Sequence, residues 1–562
     1  MKADKLFFLL FRKEPLFRAG SVIFLILLIL GLFSAITWQA RKLPEIQSVN
    51  PTVGSPGDLM VISGKNFGEI RTSSAYVEVG GSRITSSGYL LWTDAEIKFI
   101  LPSNVQDGLV IVSTKSGKSK PIFFANKAGI PIEVPPDTKT SMPVITSFSP
   151  ETVSVGQVLV LNGKNFGTIR NNAKVFFNSS LEDLSLRTNE KFSFITALEE
   201  NYDYEYWSDS EIHVRVPDGA ASGQIYVETE KGNSNLVMLG VKSAIGTKKF
   251  FDKKTYIVQV NTEIDDINSK GNSSLAVRIP YPTVSASQPL TNLTECSPKP
   301  VFENYQNTII HHLELSKNSA KKFRFNQTFV IENFAVQTEI NQKNVNQFAD
   351  KSRILYTNFT SQDKIIRSED ADYKTFASEI VKKENNPYLQ AKILYDYIVK
   401  NFIVQSEIRK IGSEPKDLLK RKRGDAYDFA IVYTTLLRSL KIPAVTMSGI
   451  LVDSELNTFN HWWCEFYIEN FGWIPVDPSL GAGLAYKSFK QVEDPATFYF
   501  GNLDSQHIAF SKGFNEVKPT LSNSNSVYKE RSYALQSIWE ESTPSNINYS
   551  SLWNKPIVTG IY

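Results

Sequence analysis

Three stretches of the chain carry side chains whose types and spacing suit acid–base or nucleophilic chemistry. In Arg423 to Pro443, RGDAYDFAIVYTTLLRSLKIP, the residues Phe429, Tyr433, Leu436, Leu437 and Leu440 recur at helical spacing. Gly424-Asp425 offers a turn and an N-cap before them, so a helix is expected to begin at about Ala426. The first side chain of that helix stands at the positive end of the macrodipole, where an anion is stabilised. In His461-Trp-Trp-Cys-Glu-Phe-Tyr-Ile-Glu469 the alternation predicts a strand. His461, Trp463, Glu465 and Tyr467 share one face, and Trp462, Cys464 and Phe466 share the other. Gly472-Trp-Ile-Pro-Val-Asp477-Pro-Ser predicts a second strand that ends in a carboxylate and a turn. An imidazole and a carboxylate are the side chains from which a general base and its orienting partner are made. The five histidines, His213, His311, His312, His461 and His507, show no HExxH or similar spacing, so neither a metal nor another cofactor is expected.

These blocks resemble the transglutaminase-like superfamily of papain-like thiol enzymes. The pattern there is G-x-C-x-[DE]-[FY]-A at a helix start, then R-x-x-x-[IL]-P-[AS], H-x-W-x-E on a strand, and GW-x-x-x-DP. This chain has Gly424 to Ala430, Arg438 to Ala444, His461 to Glu465, and Gly472 to Pro478, in that order, within roughly 385–505. The resemblance implies an α+β core with a catalytic cysteine at position 426, His461 as base and Asp477 as its orienter. In such a site the helix terminus and a neighbouring imidazolium depress the thiol pKa, and the thiolate attacks an amide carbonyl. The nucleophile position here is Ala426, and a methyl group cannot attack, accept a proton or form an acyl intermediate.

Cys464 stands on the strand face opposite His461, which disfavours it as a surrogate. Asp425 and Tyr427 flank the position, but successive helical side chains diverge by about 100°. Trp462, Trp463, Trp473 and Tyr427 are core residues or the walls of a cleft; a tryptophan-lined cleft can hold a peptide or a sugar. Lys420 to Arg423 is either a solvated loop or a basic rim that draws acidic ligands. Three functions therefore compete. One is a transglutaminase-like domain that has lost catalysis and binds protein, peptide or glycan. The second is a thiol transglutaminase or peptidase in a Cys-to-Ala inactive form. The third is a purely structural stalk.

Upstream of this core lies an internal repeat. PEIQSVNPTVGSPGDLMVISGKNFG from Pro44 aligns with PVITSFSPETVSVGQVLVLNGKNFG from Pro143, and Leu91-Trp-Thr-Asp-Ala-Glu-Ile aligns with Tyr206-Trp-Ser-Asp-Ser-Glu-Ile. The second copy carries an insertion between Asn171 and Tyr206. Short strands punctuated by Gly64 to Gly68, Pro102 and Asp107-Gly108 predict a small β-sandwich in each copy. The P-x-I-x-S-x-x-P start, the G-x-N-F-G turn and the W-[TS]-D-x-E-I strand resemble IPT/TIG modules, an immunoglobulin-like fold that implies a spacer or binding unit. A proline-rich stretch, Ala128 to Met142, reads as a semi-rigid linker.

The expected architecture is thus multidomain: an N-terminal transmembrane helix, tandem immunoglobulin-like β-sandwiches, a further β-rich domain and an α+β papain-like transglutaminase core. The expected boundaries are a cytoplasmic N-terminus 1–18, a membrane helix 19–38, modules 44–126 and 143–242, a β-sandwich 248–345, the core 369–514 and a C-terminal extension 515–562. The apolar tail residues around Tyr533 to Trp539 are expected to pack as a strand or helix on the core. Residues 19–38, AGSVIFLILLILGLFSAITW, contain no charge and are long enough to cross a bilayer. Lys2, Lys5, Arg12, Lys13 and Arg18 precede them, which places the N-terminus in the cytoplasm and the bulk of the chain outside it, in the periplasm or the medium. The expected partners are the membrane and an envelope protein, peptide or glycan. With 562 residues and a net charge of +3, the composition is globular and opposes a dedicated nucleic-acid binder. Two cysteines, Cys296 and Cys464, exclude a disulfide framework and a four-cysteine metal site.

Overall fold

A computed structural model describes residue 15 and residues 43–562, apart from 73, 103–104, 107, 127–141, 180–193, 318, 491, 522–523 and 544–546. The expected membrane segment 19–38 and most of the linker 128–142 lie outside the described residues. Among the described residues no helix is long and apolar enough to cross a membrane. The chain divides into two compact units, residues 1–139 with 167–172, and residues 140–166 with 173–562.

The first unit holds the first repeat copy. One sheet runs Glu45–Asn50, Leu59–Lys65, Glu96–Ile100, Tyr89–Trp92 in spatial order, and a second is centred on Gly108–Thr114. Met60, Ile62, Val77, Ile97, Phe99 and Val110 alternate inward to fill the space between the sheets. The second unit contains the second copy with the same strand order: Val144–Ser149, Val158–Lys164, Glu211–Arg215, Tyr204–Trp207.

The repeated letters make repeated contacts. Asn66 and Asn165 both adopt left-handed backbone, at φ 63° and 62°. Their amides donate to Leu43 O and Met142 O, each at 3.1 Å. Trp92 and Trp207 donate their indole N–H to Phe67 O and Phe166 O. Gly64 and Gly163 are required by close approach, since a Cβ at either would lie 2.0 Å from the carbonyl oxygen of Glu45 or Val144.

The β-sandwich after the modules is discontinuous in sequence. Its first sheet joins Leu290–Ser297, Phe323–Ile340, Gly246–Ser269 and Ile547–Trp553, with Ile557–Ile561 also on Gly246–Ser269. Its second sheet joins Phe302–Tyr305, Thr308–Leu315, Ser273–Pro280, Glu540–Ser542 and Asn525–Val527. The tail therefore supplies strands to both sheets, and the α+β core is inserted between the sandwich strands that precede it and those that close it.

In that core the helices Ile354–Thr360, Ala371–Val381, Pro387–Asn401 and Ala426–Ser439 stand before a four-stranded antiparallel sheet. Its order is Gly472–Val476, Thr458–Ile468, Ala444–Val452, His507–Lys512. Nearly every residue of Ala426–Ser439 is buried, because this helix is packed between the sheet and the other helices.

Candidate active site

The helix Ala426–Ser439 starts where the sequence predicts. Asp425 caps it, accepting from Asp428 N at 3.0 Å, while the Asp428 carboxylate accepts from Asp425 N at 3.2 Å. This reciprocal capping box satisfies two backbone donors of the first turn. Two buried carboxylates at one helix terminus repel each other, and two arginines offset that repulsion. Arg531 donates to both oxygens of Asp425 and to Asp428, all at 2.8 Å, and Arg409 donates to Asp428 at 2.8 Å. Burial and the Asp425 charge hold the Asp428 pKa above the ordinary carboxylate value despite these cations. Ala426 follows the cap as the first helical residue and is 4% exposed. Its neighbour Tyr427 meets the ring of Trp462, the residue beside His461, edge to face at 5.4 Å.

His461 and Asp477 come together as the resemblance implies. His461 Nε2 lies 2.5 Å from Asp477 Oδ2, and both side chains are fully buried. The other oxygen of Asp477 accepts from Ser479 N, Ser479 Oγ and Leu480 N at 3.0, 2.7 and 2.8 Å. Pro478 at the first position of the short helix Pro478–Gly481 makes Asp477 its N-cap. The carboxylate is thus fixed by its own following turn, and one oxygen is left for imidazole. Among the described residues His461 Nδ1, which is buried, has no hydrogen-bond partner.

The pair is a triplet. His507, from the edge strand on the far side of Ala444–Val452, places Nε2 at 3.1 Å from the same Asp477 oxygen and Nδ1 at 2.9 Å from Asp504. Burial lowers the His507 pKa, but the two carboxylates overcome it and raise it to about 9. Burial likewise opposes ionisation of Asp477, yet His461 and His507 hold its pKa well below the usual carboxylate range. His461 stands opposite Gly449 of the central strand, and Gly449 stands opposite Ala509 on the other side. A Cβ on Gly449 would lie 1.8 Å from Ile508 O, so glycine is required for this approach. Sequence reading passed over His507; its trace there is Asp504 three residues earlier on the approach to a strand.

The remaining candidates take structural positions. Trp463, Trp473 and Tyr427 are 2%, 4% and 2% exposed, so all three are packed as core residues, and Trp473 and Tyr427 each also show an edge to a cavity. Trp463 stacks on His461 at 6.2 Å, and the Trp473 face carries the Lys512 ammonium at 4.0 Å. Tyr427 lines a cavity of about 160 Å³ with Tyr373, Tyr528, Lys364, Arg367 and Lys416. Cys464 lies on the helix-facing side of its strand, with Sγ at 3.2 Å from Ala430 O and 3.3 Å from Thr434 Oγ1, and burial raises its pKa. In the basic run, Lys420, Arg421 and Arg423 are exposed, whereas Lys422 is turned onto the rings of Phe376, Tyr397 and Phe402 at 4.5–5.3 Å.

Residues 374–478 match the Transglutaminase-like superfamily, and residues 44–126 and 143–242 match the IPT/TIG domain. The chain carries a transglutaminase-like core behind two IPT/TIG domains. It is 25% identical to an uncharacterized protein of Haemophilus influenzae over 171 residues, 25% of this chain and 46% of that one. It is 35% identical to a cyclomaltodextrin glucanotransferase of Paenibacillus macerans over 81 residues, 14% of this chain and 11% of the enzyme. The chain spans less than half the length of these curated relatives. The periplasmic domain of TgpA from Pseudomonas aeruginosa is 11% identical, with 42% of this chain and 88% of that domain covered at a TM-score of 0.24. In the transglutaminase-like core, alanine occupies position 426 at the helix start, and His461 and Asp477 form a buried hydrogen-bonded pair.

Proposed function

We propose that this chain is a membrane-anchored extracytoplasmic protein whose transglutaminase-like domain has lost acyl transfer and binds protein, peptide or glycan in the cell envelope. The observation that carries this reading is Ala426, a methyl side chain at the first position of the helix where the chemistry needs a thiolate. Burial of Ala426, His461 and Asp477 agrees with a site that no longer admits an amide substrate. The cavity beside Tyr427 is a candidate for the binding surface, since aromatic walls with both cations (Lys364, Arg367, Lys416) and carboxylates (Glu414, Glu530) at the rim suit a polar peptide or sugar ring. Residues 19–38 would be the membrane anchor, and the IPT/TIG domains lie between it and the core in sequence.

The test is the Ala426→Cys variant, assayed for amine incorporation into a glutamine-containing protein and for peptide hydrolysis. The expected result is a folded protein without turnover. Turnover would overturn the reading.

A second reading is a thiol enzyme in a Cys-to-Ala form. The free His461 Nδ1 favours it, because a base held at Nε2 by a carboxylate keeps Nδ1 for a nucleophile's proton. A cysteine codon at position 426 of the chromosomal gene would establish this second reading, and an alanine codon would remove it.

A further inference from the structure

Between the two sheets of the β-sandwich, far in sequence from the candidate active site, three side chains with soft or borderline donor atoms converge. Cys296 and Gln327 are directly opposed across Leu290–Ser297 and Phe323–Ile340. His311 comes from Thr308–Leu315 of the other sheet. Cys296 Sγ lies 3.8 Å from His311 Nε2, and the Gln327 amide nitrogen lies 3.8 Å from that sulfur and 3.1 Å from that imidazole nitrogen. Gln327 is fully buried and His311 nearly so, while Cys296 is half-buried and reachable from solvent. Among the described residues Gln327 Oε1 has no hydrogen-bond partner. Turning the amide end for end brings this oxygen onto the same two atoms.

We propose that Cys296, His311 and Gln327 form a binding site for a soft monovalent cation, Cu⁺ in the first instance. The three atoms are hydrogen-bonded to one another at distances that an ion placed between them also satisfies, so ligation would replace the Gln327–His311 contact of 3.1 Å. With metal–sulfur and metal–nitrogen bonds of about 2.3 and 2.0 Å, a 3.8 Å separation corresponds to an angle at the ion of roughly 120°. The two distances to the amide give angles of roughly 100° and 120° for a bond of about 2.1 Å, so one ion reaches all three atoms in near-trigonal geometry. Thiolate is among the soft donors that take Cu⁺, and imidazole suits copper as well.

Charge points the same way. The Phe325 ring lies beside His311 at 4.7 Å, tilted by 47°, and the charged side chain acting on Cys296 is the Glu303 carboxylate, which favours a cation there. One thiolate, one neutral imidazole, one amide and one monovalent cation sum to zero, which an apolar surround tolerates. As the Sγ–Cu bond forms the thiol proton leaves to solvent, and no electron is transferred.

The experiment is an anaerobic titration of the full-length chain in detergent with Cu⁺ against a chromogenic Cu⁺ chelator. X-ray absorption at the copper edge and alkylation of the Cys296 thiol by iodoacetamide are read in parallel. The expected result is one Cu⁺ per chain, sulfur and nitrogen in its first shell, and protection of Cys296 from alkylation. The Cys296→Ser variant, which keeps the size of a half-exposed side chain, loses that one equivalent. Gln327→Leu weakens binding by about tenfold or more. Three results would each overturn the site: Cu⁺ stoichiometry unchanged in Cys296→Ser, Cys296 alkylated at its original rate with copper bound, or displacement of Cu⁺ by an equal concentration of Zn²⁺.

Discussion

Arg531, from the C-terminal stretch, sets its Nη1 at 2.8 Å from both carboxylate oxygens of Asp425, the cap of the helix that begins at Ala426. The same guanidinium reaches Asp428 and Ser413 O and lies over the Tyr427 ring at 4.5 Å. Sequence from beyond the core thus fixes the first turn of its central helix. Arg531→Met removes the cation that compensates two buried carboxylates and is expected to destabilise the protein by about 3–5 kcal/mol. Urea unfolding followed by far-UV circular dichroism measures this. A loss under about 1 kcal/mol would mean that Arg409 alone neutralises the pair.

His507 makes stability depend on alkaline pH. Its folded pKa is raised to about 9, above the unfolded value of about 6.5. The stabilisation from its charge is therefore complete below pH 6.5, declines between 6.5 and 9, and is lost above 9. Its full size is on the order of 3 kcal/mol. The thermal midpoint of the native protein should fall across this window more steeply than that of His507→Gln. Parallel curves would remove His507 as the group responsible.

What the sequence made legible is local. The repeat could be aligned because Gly64/Gly163 and Asn66/Asn165 serve backbone positions that few residues tolerate, so the same letters recur. The helix start at Ala426 was readable from Asp425, and the Asp477 turn from Pro478, since caps and prolines act within three residues. His507, Arg531 and the sandwich strands of the tail were not readable. Each acts through a contact with a residue far along the chain, and His507 stands in an ordinary buried strand. The tryptophans stay ambiguous in the sequence for a related reason. A large aromatic serves a cleft wall and a core equally well, and only the residues packed around it decide between them.

The second IPT/TIG domain is tied to the core by a buried ion pair. Lys248 Nζ lies 2.6 and 2.7 Å from the two oxygens of Asp218 and also donates to Trp473 O. These three residues come from the domain, the sandwich and the core. Burial raises the Asp218 pKa and lowers that of Lys248, yet each supplies the charge that the other needs. Asp218→Ala strands the ammonium and should separate the melting of the domain from that of the core, giving two calorimetric transitions in place of one. A single transition at the native midpoint would show that the apolar contact of Tyr202 with Phe359 is sufficient.

The two cysteines differ in what can reach them. Cys464 is fully buried, bonded to Ala430 O and Thr434, and its pKa is raised by burial, so neither reagent access nor thiolate is available. Cys296 is half-buried on its strand, and burial raises its pKa as well, with Gln327 opposing the shift. In the native protein a disulfide reagent should therefore titrate one thiol slowly, with the rate rising as pH is raised. Both thiols should titrate at once in guanidinium chloride. The Cys296→Ser variant should then show no native reaction, because unfolding of the core is required to expose Cys464. Rapid reaction in that variant would mean that the helix Ala426–Ser439 separates from its sheet in the native state, the motion a substrate would need to reach His461.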